Sequence, residues 1–435
     1  MNERLPFGEQ IGMIRSPIPG PRSIDLGKRL GKVEAPGITY ISNDFPVFWE
    51  QAHGSNVQDV DGNIFVDLSA AFGVASLGHR QPAVTAAISR QLARLPHGMG
   101  DVHPPAIKVE LLEWLTLAFP QPGAQAILCS SGSEAVEAAL KTAALVSGRP
   151  GVISFEGAYH GLSYGTLAVS GQLKFREPFH RQLGQFARRA RFPRYQNDRN
   201  REVIEQSIAE LQQIVNESQK TQVPVGAILL EPIQGRAGVI VPPQGWLREI
   251  RDFANRNHLV LIADEIMTGF GRTGTRFAVD REKVVPDLLC VGKALTGTLP
   301  FAACVGTEAV MHGWPVSTGE ALHTNTFLGH PLGCAAALAS IHEIENKDLA
   351  TRADRLGREA MTEMRSWQRS LPMIEEVRGR GFMIGLALSQ DRRTGLAFDV
   401  AKRALAKGLI ILPSGMNGNV LTISPPLTIG GRQLE

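Results

Sequence analysis

Two ionisable side chains of opposite charge stand where apolar runs end. Asp264 follows LVLIA, and Lys293 follows DLLCVG. A carboxylate at the end of a buried strand is unfavourable unless a cation or a hydrogen-bond donor pairs with it, and Arg272 or loop N–H groups are ordinary partners. Lys293 is either a surface amine or a desolvated amine with a depressed pKa. An amine of the second kind is a nucleophile suited to forming a Schiff base with a carbonyl.

A Ser/Gly turn, Ser130-Ser131-Gly132-Ser133-Glu134, follows the run AILC and precedes a helical pattern that ends near Gly148. Free N–H groups and the helix dipole at such a start favour an anion such as phosphate. The simpler interpretation is that Ser133 caps the helix. The turn alone therefore leaves both a phosphate site and a plain helix cap open.

Two further strand-end loops carry an aromatic residue, an imidazole and a second acid. GVISF is followed by the loop 156–161, which contains Tyr159 and His160 between glycines, and VGAILL is followed by Glu231. Singly, Tyr159 is typical of a half-buried aromatic and His160 of a structural residue. Ligands of open parallel sheets bind at the carboxyl ends of the strands, so these loops are predicted to meet. An amine, a buried acid, an aromatic ring and a phosphate site together match the needs of pyridoxal phosphate.

The elements that must position these residues alternate between helices and strands. Segments 82–95 and 106–119 have helical periodicity. Continuous apolar runs separated by helical patterns predict an α/β fold with a mostly parallel sheet covered on both faces. The predicted strands are AILC (126–129), GVISF (151–155), VGAILLE (225–231), HLVLIADE (258–265) and DLLCVGK (287–293).

The two ends of the chain have a different character. The first 45 or so residues are rich in Gly and Pro and are interpreted as an extended arm that packs on the rest. Asp61-Gly62 within alternating apolar residues predicts a hairpin. After about residue 330, a long helical stretch precedes strands near GFMIGLAL, LIILPS and VLTISP. We predict an arm with small-domain strands (1–75), a large cofactor-binding α/β domain (76–325) and a small C-terminal α+β domain (326–435).

Composition excludes several classes of protein. Hydrophobic residues make up 43% and charged residues 20% of the 435 positions, as in globular proteins. The net charge of +3 is too small to indicate a nucleic-acid-binding protein. No apolar stretch is long enough to span a bilayer, and the N-terminus lacks the apolar block of a secretory signal. The scattered cysteines contain no CxxC pair, so we expect no metal site, no disulfide framework and a cytoplasmic location. They are Cys129, Cys290, Cys304 and Cys334.

Six motifs occur in an order that resembles the class III pyridoxal-phosphate aminotransferases, the fold-type I subgroup that includes ornithine, 4-aminobutyrate and other ω-amine enzymes. The resemblance extends from VFWEQAHG to SPPLTI. It implies a large domain with a mostly parallel seven-stranded sheet, a smaller α+β domain, and a ping-pong transaminase that moves an amino group from an amine or ω-amino donor to a 2-oxo acid. The motifs are SGSEAVEAALK, YHG, EPIQG, ADEIMTGFGRTG, VGKAL and HTNTFLGHPLGCAAALA.

The resemblance also implies roles for matching residues. Lys293 would form the Schiff base with the cofactor and shuttle the proton, and Asp264 would keep the pyridine nitrogen protonated. Tyr159, counted with these two as catalytic, would stack on one face of the ring, and Ile266 on the other. The remaining expected cofactor-binding residues are Gly132, Ser133, His160, Glu231 (similar to the family's gate carboxylate) and Thr326, the last donated by the partner subunit of a homodimer.

Three positions depart from the family pattern. Leu162 and Thr422 stand where ornithine and 4-aminobutyrate types usually or often carry Arg, and Met267 stands where many members have a Gln bonded to the cofactor's phenolic oxygen. Losing a bidentate Arg removes a strong carboxylate clamp. We therefore expect a donor that is an amine, a diamine, an amino sugar or an acid held elsewhere, with Glu231 free to accept a distal ammonium. Candidate pocket residues are Phe45, Phe48, Trp49, Phe72, Leu162 and Glu231.

Other interpretations remain at this stage. An aminomutase or amino-acid racemase on the same fold is the nearest alternative, and Met267 slightly favours it. A dinucleotide-binding oxidoreductase would need GxGxxG after the first strand, and SSGSEA lacks its second and third glycines. A non-catalytic scaffold conflicts with an intact Lys293 and Asp264. The basic run of Arg188, Arg189, Arg191 and Arg194 is interpreted as a solvated loop, and the alternative is that one of these arginines meets the keto-acid acceptor or the partner subunit.

Overall fold

A seven-stranded sheet lies at the centre of the computed structural model, which describes residues 5–389 and 395–435. Its strands are parallel except β10, which is antiparallel to both neighbours. This confirms the predicted sheet. The spatial order is β4 (Gln125–Cys129), β10 (Ala302–Gly306), β9 (Leu288–Val291), β8 (Val260–Asp264), β7 (Val225–Leu230), β5 (Gly151–Phe155) and β6 (Ala187–Ala190).

Helices cover the sheet and confirm the predicted periodic segments. Helices α5, α9 and α11 present apolar faces to the core. The α-helices of the described residues are α1 (Pro21–Val33), α2 (Ala70–Gly73), α3 (Pro82–Arg94), α4 (Ala106–Ala118), α5 (Gly132–Ser147), α6 (Tyr164–Val169), α7 (Leu173–Arg176), α8 (Asn200–Ser218), α9 (Trp246–Arg256), α10 (Glu308–Met311), α11 (Pro331–Asn346), α12 (Leu349–Ser370), α13 (Leu396–Leu405) and α14 (Gly431–Leu434). Short 3₁₀ segments are Glu177–Phe179, Asn197–Arg199, Ala278–Glu282 and Lys293–Leu295. None of these helices is long and apolar enough to cross a bilayer.

The first half of the basic run is a strand rather than a solvated loop, and Arg191 and Arg194 follow that strand. Arg188 and Arg189 lie in β6, the edge strand, which pairs in parallel with β5. The guanidinium of Arg189 donates to the carbonyl of Ala168, and burial lowers its pKa to about 10. Sequence reasoning missed β6 because backbone pairing at a sheet edge needs no apolar side chains. It also missed β10.

The alternation of side chains along β8 decides which acid lies on the face of the sheet that α5 covers. Ile262 belongs to the core cluster formed with α5, whereas Leu261 and Ala263 belong to the cluster on the opposite face. Successive side chains of a strand point to opposite faces, so Asp264 shares the face of Ile262. Glu265 faces away and accepts hydrogen bonds from the backbone of a neighbouring 3₁₀ segment.

The N-terminal arm packs on the predicted hairpin, but it is not extended throughout because it contains α1. The hairpin consists of β2 (Asn56–Asp59) and β3 (Ile64–Asp67), joined through the Asp61-Gly62 turn. The side-chain oxygen of Asn56 accepts the N–H groups of Gly8 and Gln10, and the Asp61 carboxylate accepts two N–H groups in the first turn of α1. An acid at a helix N-terminus is favoured by the helix dipole.

Two smaller sheets join the ends of the chain. In the first, β1 (Trp49–His53), β2 and β3 are extended by β13 (Leu409–Ile410), which is parallel to β3. The second is antiparallel and has the order β11 (Ile374–Arg380), β12 (Met383–Leu388), β15 (Val420–Ile423) and β14 (Leu412–Ser414). Division of the chain at residues 75 and 325 remains our proposal.

Arg272 connects the large sheet to the C-terminal segment. Its side chain is buried, and Nη1 donates to the carbonyls of Phe382 at 3.2 Å and Pro425 at 2.5 Å, while Nη2 donates to Oγ of Ser76 at 3.0 Å. Burial lowers its pKa to about 10. These bonds exclude the suggested Arg272–Asp264 ion pair and give Arg272 a structural role.

Replacing Arg272 with Met should lower the free energy of unfolding by about 2–5 kcal/mol, because buried carbonyls would lose a charged donor. Denaturant unfolding measures the change. The control is Arg201→Met, which removes an exposed ion pair with Glu205 and should cost less than about 1 kcal/mol. Equal effects of the two substitutions would contradict the assigned role.

Candidate active site

Loops after β5, β7, β8 and β9 bring the predicted chemical residues together at one edge of the sheet. His160, from the loop after β5, contacts Asp264 at the end of β8. Glu231, directly after β7, accepts a hydrogen bond from the N–H of Tyr159. Lys293, which begins the 3₁₀ segment after β9, lies within the electrostatic reach of both carboxylates. The strand-end argument therefore placed these groups correctly.

A buried acid–imidazole pair forms the floor of the site. Asp264 is 4% exposed, its Oδ2 lies 2.7 Å from Nδ1 of His160, and its Oδ1 accepts the N–H of Ile266 at 3.1 Å. These contacts supply the partners that burial of a carboxylate demands. The other ring nitrogen of His160, Nε2, is buried, and no hydrogen bond within the described residues reaches it.

Lys293 has an unusual backbone and a desolvated amine. Its φ is +47°, a left-handed conformation that is uncommon outside glycine and costs conformational strain. Burial lowers the pKa of the amine, although Asp264 and Glu231 act in the opposite direction. The chain of Gly73 lies close by, since an added Cβ there would be 4.0 Å from Cδ of Lys293.

The N-terminus of α5 presents free N–H groups where an anion site was predicted, and its cap is a different residue from the one predicted. Oγ of Ser131, not Ser133, accepts the N–H of Glu134 at 3.2 Å. The N–H groups of Gly132 and Ser133 lie in the first turn, where no intrahelical acceptor exists, at the positive end of the helix. A Cβ on Gly132 would lie 2.8 Å from Cδ1 of Ile266, so glycine permits this close packing.

The YHG loop is fastened to this helix start through Ser133. Oγ of Ser133 lies 2.8 Å from Oγ1 of Thr166 and donates to Oγ of Ser163 at 2.9 Å. Gly161 has φ +121°, and a Cβ there would lie 2.4 Å from Oγ of Ser133. The contact joins the start of α5 to the loop that carries Tyr159 and His160.

Sequence reasoning missed Arg236, which follows EPIQG directly. The guanidinium carbon lies 4.6 Å from the centroid of the Tyr159 ring and 5.5 Å from that of Phe175. Tyr159 is half-buried, and its ring packs edge-on against Phe175 with centroids 5.9 Å apart. The sequence did contain a signal for this residue, because Arg236 is a cation directly after the glycine of a strand-end loop. Only residues up to Gly235 were considered in that loop.

Glu231 is not the free carboxylate that we expected. It is 6% exposed, and its two oxygens accept the N–H groups of Tyr159 and Gly235, each at 2.9 Å. Burial raises its pKa. Glu231 therefore joins two loops, and its burial keeps it apart from the exposed position expected for binding a distal ammonium.

The three positions that depart from the family pattern provide no cation. Leu162 is 51% exposed beside Gly161. Thr422 is buried in β15, with Oγ1 2.5 Å from Oγ of Ser414. Met267 packs with Met383 in a small apolar cluster.

The predicted aromatic pocket residues lie in different surroundings. Phe48 packs near Gly27 of the arm helix, and Trp49 meets the ring of His79 edge-on at 5.8 Å. Phe72 is 63% exposed in a left-handed segment with φ +63°. Thr326 is exposed in a turn; its neighbour Asn325 contacts Glu134 of the same chain through a hydrogen bond.

Comparison with known proteins identifies the family. Residues 40–435 match the family described as aminotransferase class-III. A 4-aminobutyrate aminotransferase of Mycobacterium leprae is 35% identical over 438 residues, covering 98% of this chain and 96% of that protein. The chain belongs to the class III aminotransferases. It is a pyridoxal-phosphate-dependent enzyme of fold type I.

Solved structures of other aminotransferases share the fold. An amine transaminase from an uncultivated Pseudomonas species, in its PLP-bound form, superposes with a TM-score of 0.84 at 29% identity, covering 93% of this chain and 96% of that one. An ornithine aminotransferase from Toxoplasma gondii gives 0.82 at 27% identity, covering 94% and 91%. These three relatives carry three different substrate names, so family membership leaves the substrate of this aminotransferase to be determined.

The residues present fit pyridoxal phosphate. Free N–H groups at the start of α5 suit its phosphate, and the glycine at position 132 keeps that turn narrow. Asp264 suits a protonated ring nitrogen, and the desolvated amine of Lys293 suits its aldehyde. These groups stand at neighbouring strand ends, as one cofactor requires.

Lys293→Ala should abolish covalent retention of pyridoxal phosphate after borohydride reduction, as read by mass spectrometry of the denatured protein. Lys108→Ala is a matched control, because burial also lowers the pKa of Lys108 while its amine donates to the carbonyl of Gly100. The control should keep the label. If the Lys293→Ala protein were labelled to the same extent as the wild type, another amine would hold the cofactor.

The rate of cofactor attachment to the apoenzyme should depend on pH. The lowered pKa of Lys293 means that its uncharged amine forms below the usual 10.5, so the rate should reach half its maximum below that pH. The Asp264 carboxylate stabilises the ammonium form, so Asp264→Asn should move the midpoint to still lower pH. A wild-type midpoint at or above 10.5, measured by stopped-flow absorbance, would contradict the assignment.

Proposed function

We propose that this aminotransferase moves an amino group from an amine or ω-amino donor to a 2-oxo acid acceptor by a ping-pong reaction, with Lys293 as the cofactor-holding and proton-carrying residue. The observation that supports this most directly is the desolvated amine of Lys293 near the buried Asp264–His160 pair. An amine with a depressed pKa can act as a base near neutral pH, because a larger fraction of it is uncharged.

When bound, pyridoxal phosphate supplies an aldehyde that condenses with amines and a ring that withdraws electrons from the substrate carbon. Nζ of Lys293 would carry a proton between the substrate carbon that bears the amino group and the C4′ carbon of the cofactor. Asp264, oriented by His160 and the N–H of Ile266, would present its negative charge to the ring nitrogen. Tyr159 and Ile266 would pack on the ring, and N–H groups at Gly132 and Ser133 would hold the phosphate.

The amino donor is proposed to bind without a carboxylate–Arg contact at position 162 or 422. Leu162 carries no charge, and the hydroxyl of Thr422 is hydrogen-bonded to Ser414. Glu231 is occupied by backbone donors, so we no longer assign it a distal ammonium. An amine or ω-amino compound bound mainly by apolar contacts fits this arrangement.

A homodimer is proposed in which the partner subunit's Thr326 contacts the cofactor phosphate. Thr326 is exposed, as that role requires. Large apolar side chains in the neighbouring sequence are also exposed, which is typical of an interface. They include Leu322 and Phe327, and three further apolar side chains earlier in the chain are exposed as well, namely Phe72, Met99 and Val102. We further propose a reducing, cytoplasmic setting, since the four cysteines are buried and unpaired.

A donor panel tests the proposed substrate class. Single donors are mixed with the holoenzyme, and loss of the cofactor's absorbance band is followed without acceptor. We expect monoamines or diamines to react with a higher kcat/KM than 4-aminobutyrate, because the usual carboxylate clamp is missing. A strong preference for 4-aminobutyrate over all neutral and cationic amines would refute the proposal.

The same experiment separates the reaction types. A transaminase stops after one turnover until a 2-oxo acid such as pyruvate is added. Continued conversion of a single substrate without acceptor would indicate an aminomutase or racemase instead.

A further inference from the structure

Arg236 is a cation at the site that the residue roles above leave unused. Its backbone is fixed, because its carbonyl accepts the N–H of Gly415 at 3.1 Å and the adjoining Gly235 donates to Glu231. A backbone bridge between Gln234 and Ile240 closes the same loop. The side chain therefore projects from a rigid base, which favours a positioning or binding role.

The guanidinium stacks on aromatic rings and keeps its N–H donors available. It lies 4.6 Å from the Tyr159 centroid and 5.5 Å from the Phe175 centroid. The side chain is exposed, and no ion pair or side-chain hydrogen bond found within residues 5–389 and 395–435 involves it. Stacking limits the motion of the planar group while its edge can still donate two parallel hydrogen bonds.

The acids of the site do not neutralise this cation. Asp264 is bonded to His160 and to the N–H of Ile266, and both oxygens of Glu231 are bonded to backbone N–H groups. Arg236 is within electrostatic reach of the reactive amine. Burial is the main cause of the lowered pKa of Lys293, and the charge of Arg236 lowers it further. The entrance of the site therefore carries positive charge, which attracts an anionic substrate.

The proposed acceptor brings a carboxylate that needs a partner. Leu162 and Thr422 provide none, and a carboxylate left unpaired near apolar side chains would bind weakly. An Arg fork matches the two carboxylate oxygens geometrically as well as in charge. We propose that Arg236 binds the carboxylate of the 2-oxo acid acceptor, an inference that rests on the proposed transaminase function.

Arg236→Met tests this directly, and Lys174→Met is the matched control. Lys174 is another exposed cation on the same ring, 4.9 Å from the centroid of Phe175, so both substitutions remove one positive charge. Arg236→Met should raise the KM for pyruvate about 10- to 100-fold. The half-reaction with an amine donor that lacks a carboxylate should change much less. Arg236→Lys should restore part of the loss, and Lys174→Met should leave the KM for pyruvate unchanged.

Equilibrium binding gives a readout apart from turnover. Calorimetry with oxamate, a non-reacting analogue of pyruvate, should show about 10- to 100-fold weaker binding to Arg236→Met than to wild-type holoenzyme. Oxamide, which lacks the carboxylate, should bind both proteins alike.

The outcomes separate the two proposals. A wild-type enzyme that transfers no amino group to any 2-oxo acid would end the proposed function, whereas oxamate binding would still test Arg236. An active wild type with unchanged pyruvate KM and oxamate affinity in Arg236→Met would overturn only the inference. Equal losses in donor and acceptor half-reactions, with a lower melting temperature, would also overturn it and assign Arg236 the structural task of supporting the Tyr159 ring.

Discussion

The site depends on the free energy needed to bury one carboxylate. Asp264 ends a strand whose neighbours are apolar, so the protein must supply donors for both oxygens. His160 provides one and the N–H of Ile266 the other. Because His160 belongs to the loop after a different strand, satisfying Asp264 also fixes the loop that carries Tyr159. One electrostatic requirement thereby positions two of the three residues assigned to catalysis.

The negative charges of the site are buried, whereas the positive charge of Arg236 is exposed. The two acids lie on the floor, each held by donors from the chain, and the exposed Arg236 lies at the entrance. The pKa of Lys293 is lowered mainly by burial, and the two acids and Arg236 act on it in opposite directions. Such an arrangement keeps the amine reactive through desolvation, while negative charge remains available below it. Glu231 shows that a carboxylate in this region can also join loops, since backbone N–H groups donate to both of its oxygens.

Close backbone packing makes the arrangement possible. Gly132 lies against Ile266, and Gly161 lies against Ser133, so closely that a Cβ at either position would force its neighbour to shift. The left-handed backbone of Lys293 aims its side chain from the start of a 3₁₀ segment. Arg272 then ties the large sheet to the C-terminal segment through buried carbonyls. Rigid supports of this kind hold catalytic groups in place more precisely than mobile loops do.

Local pattern in the sequence was enough for much of the fold. Four of the five apolar runs are strands whose side chains are buried on both faces of the parallel part of the sheet, and Gly148 ends α5 with φ +63°. The arginines of β6 misled the interpretation, because an edge strand is defined by backbone pairing rather than by side chains. The helix in the arm was missed for a related reason, since α1 exposes most of its residues.

The sequence by itself determined the residue types at each strand end and, through the order of the motifs, the family and its cofactor. Only the tertiary structure decided which groups meet. His160 and Asp264 are 104 positions apart, and no local pattern shows that their side chains make a hydrogen bond. The same holds for the placement of Arg236 over Tyr159 and for the backbone partners of Glu231. Pairing between distant residues depends on sheet order and loop path, which arise from packing of the whole chain.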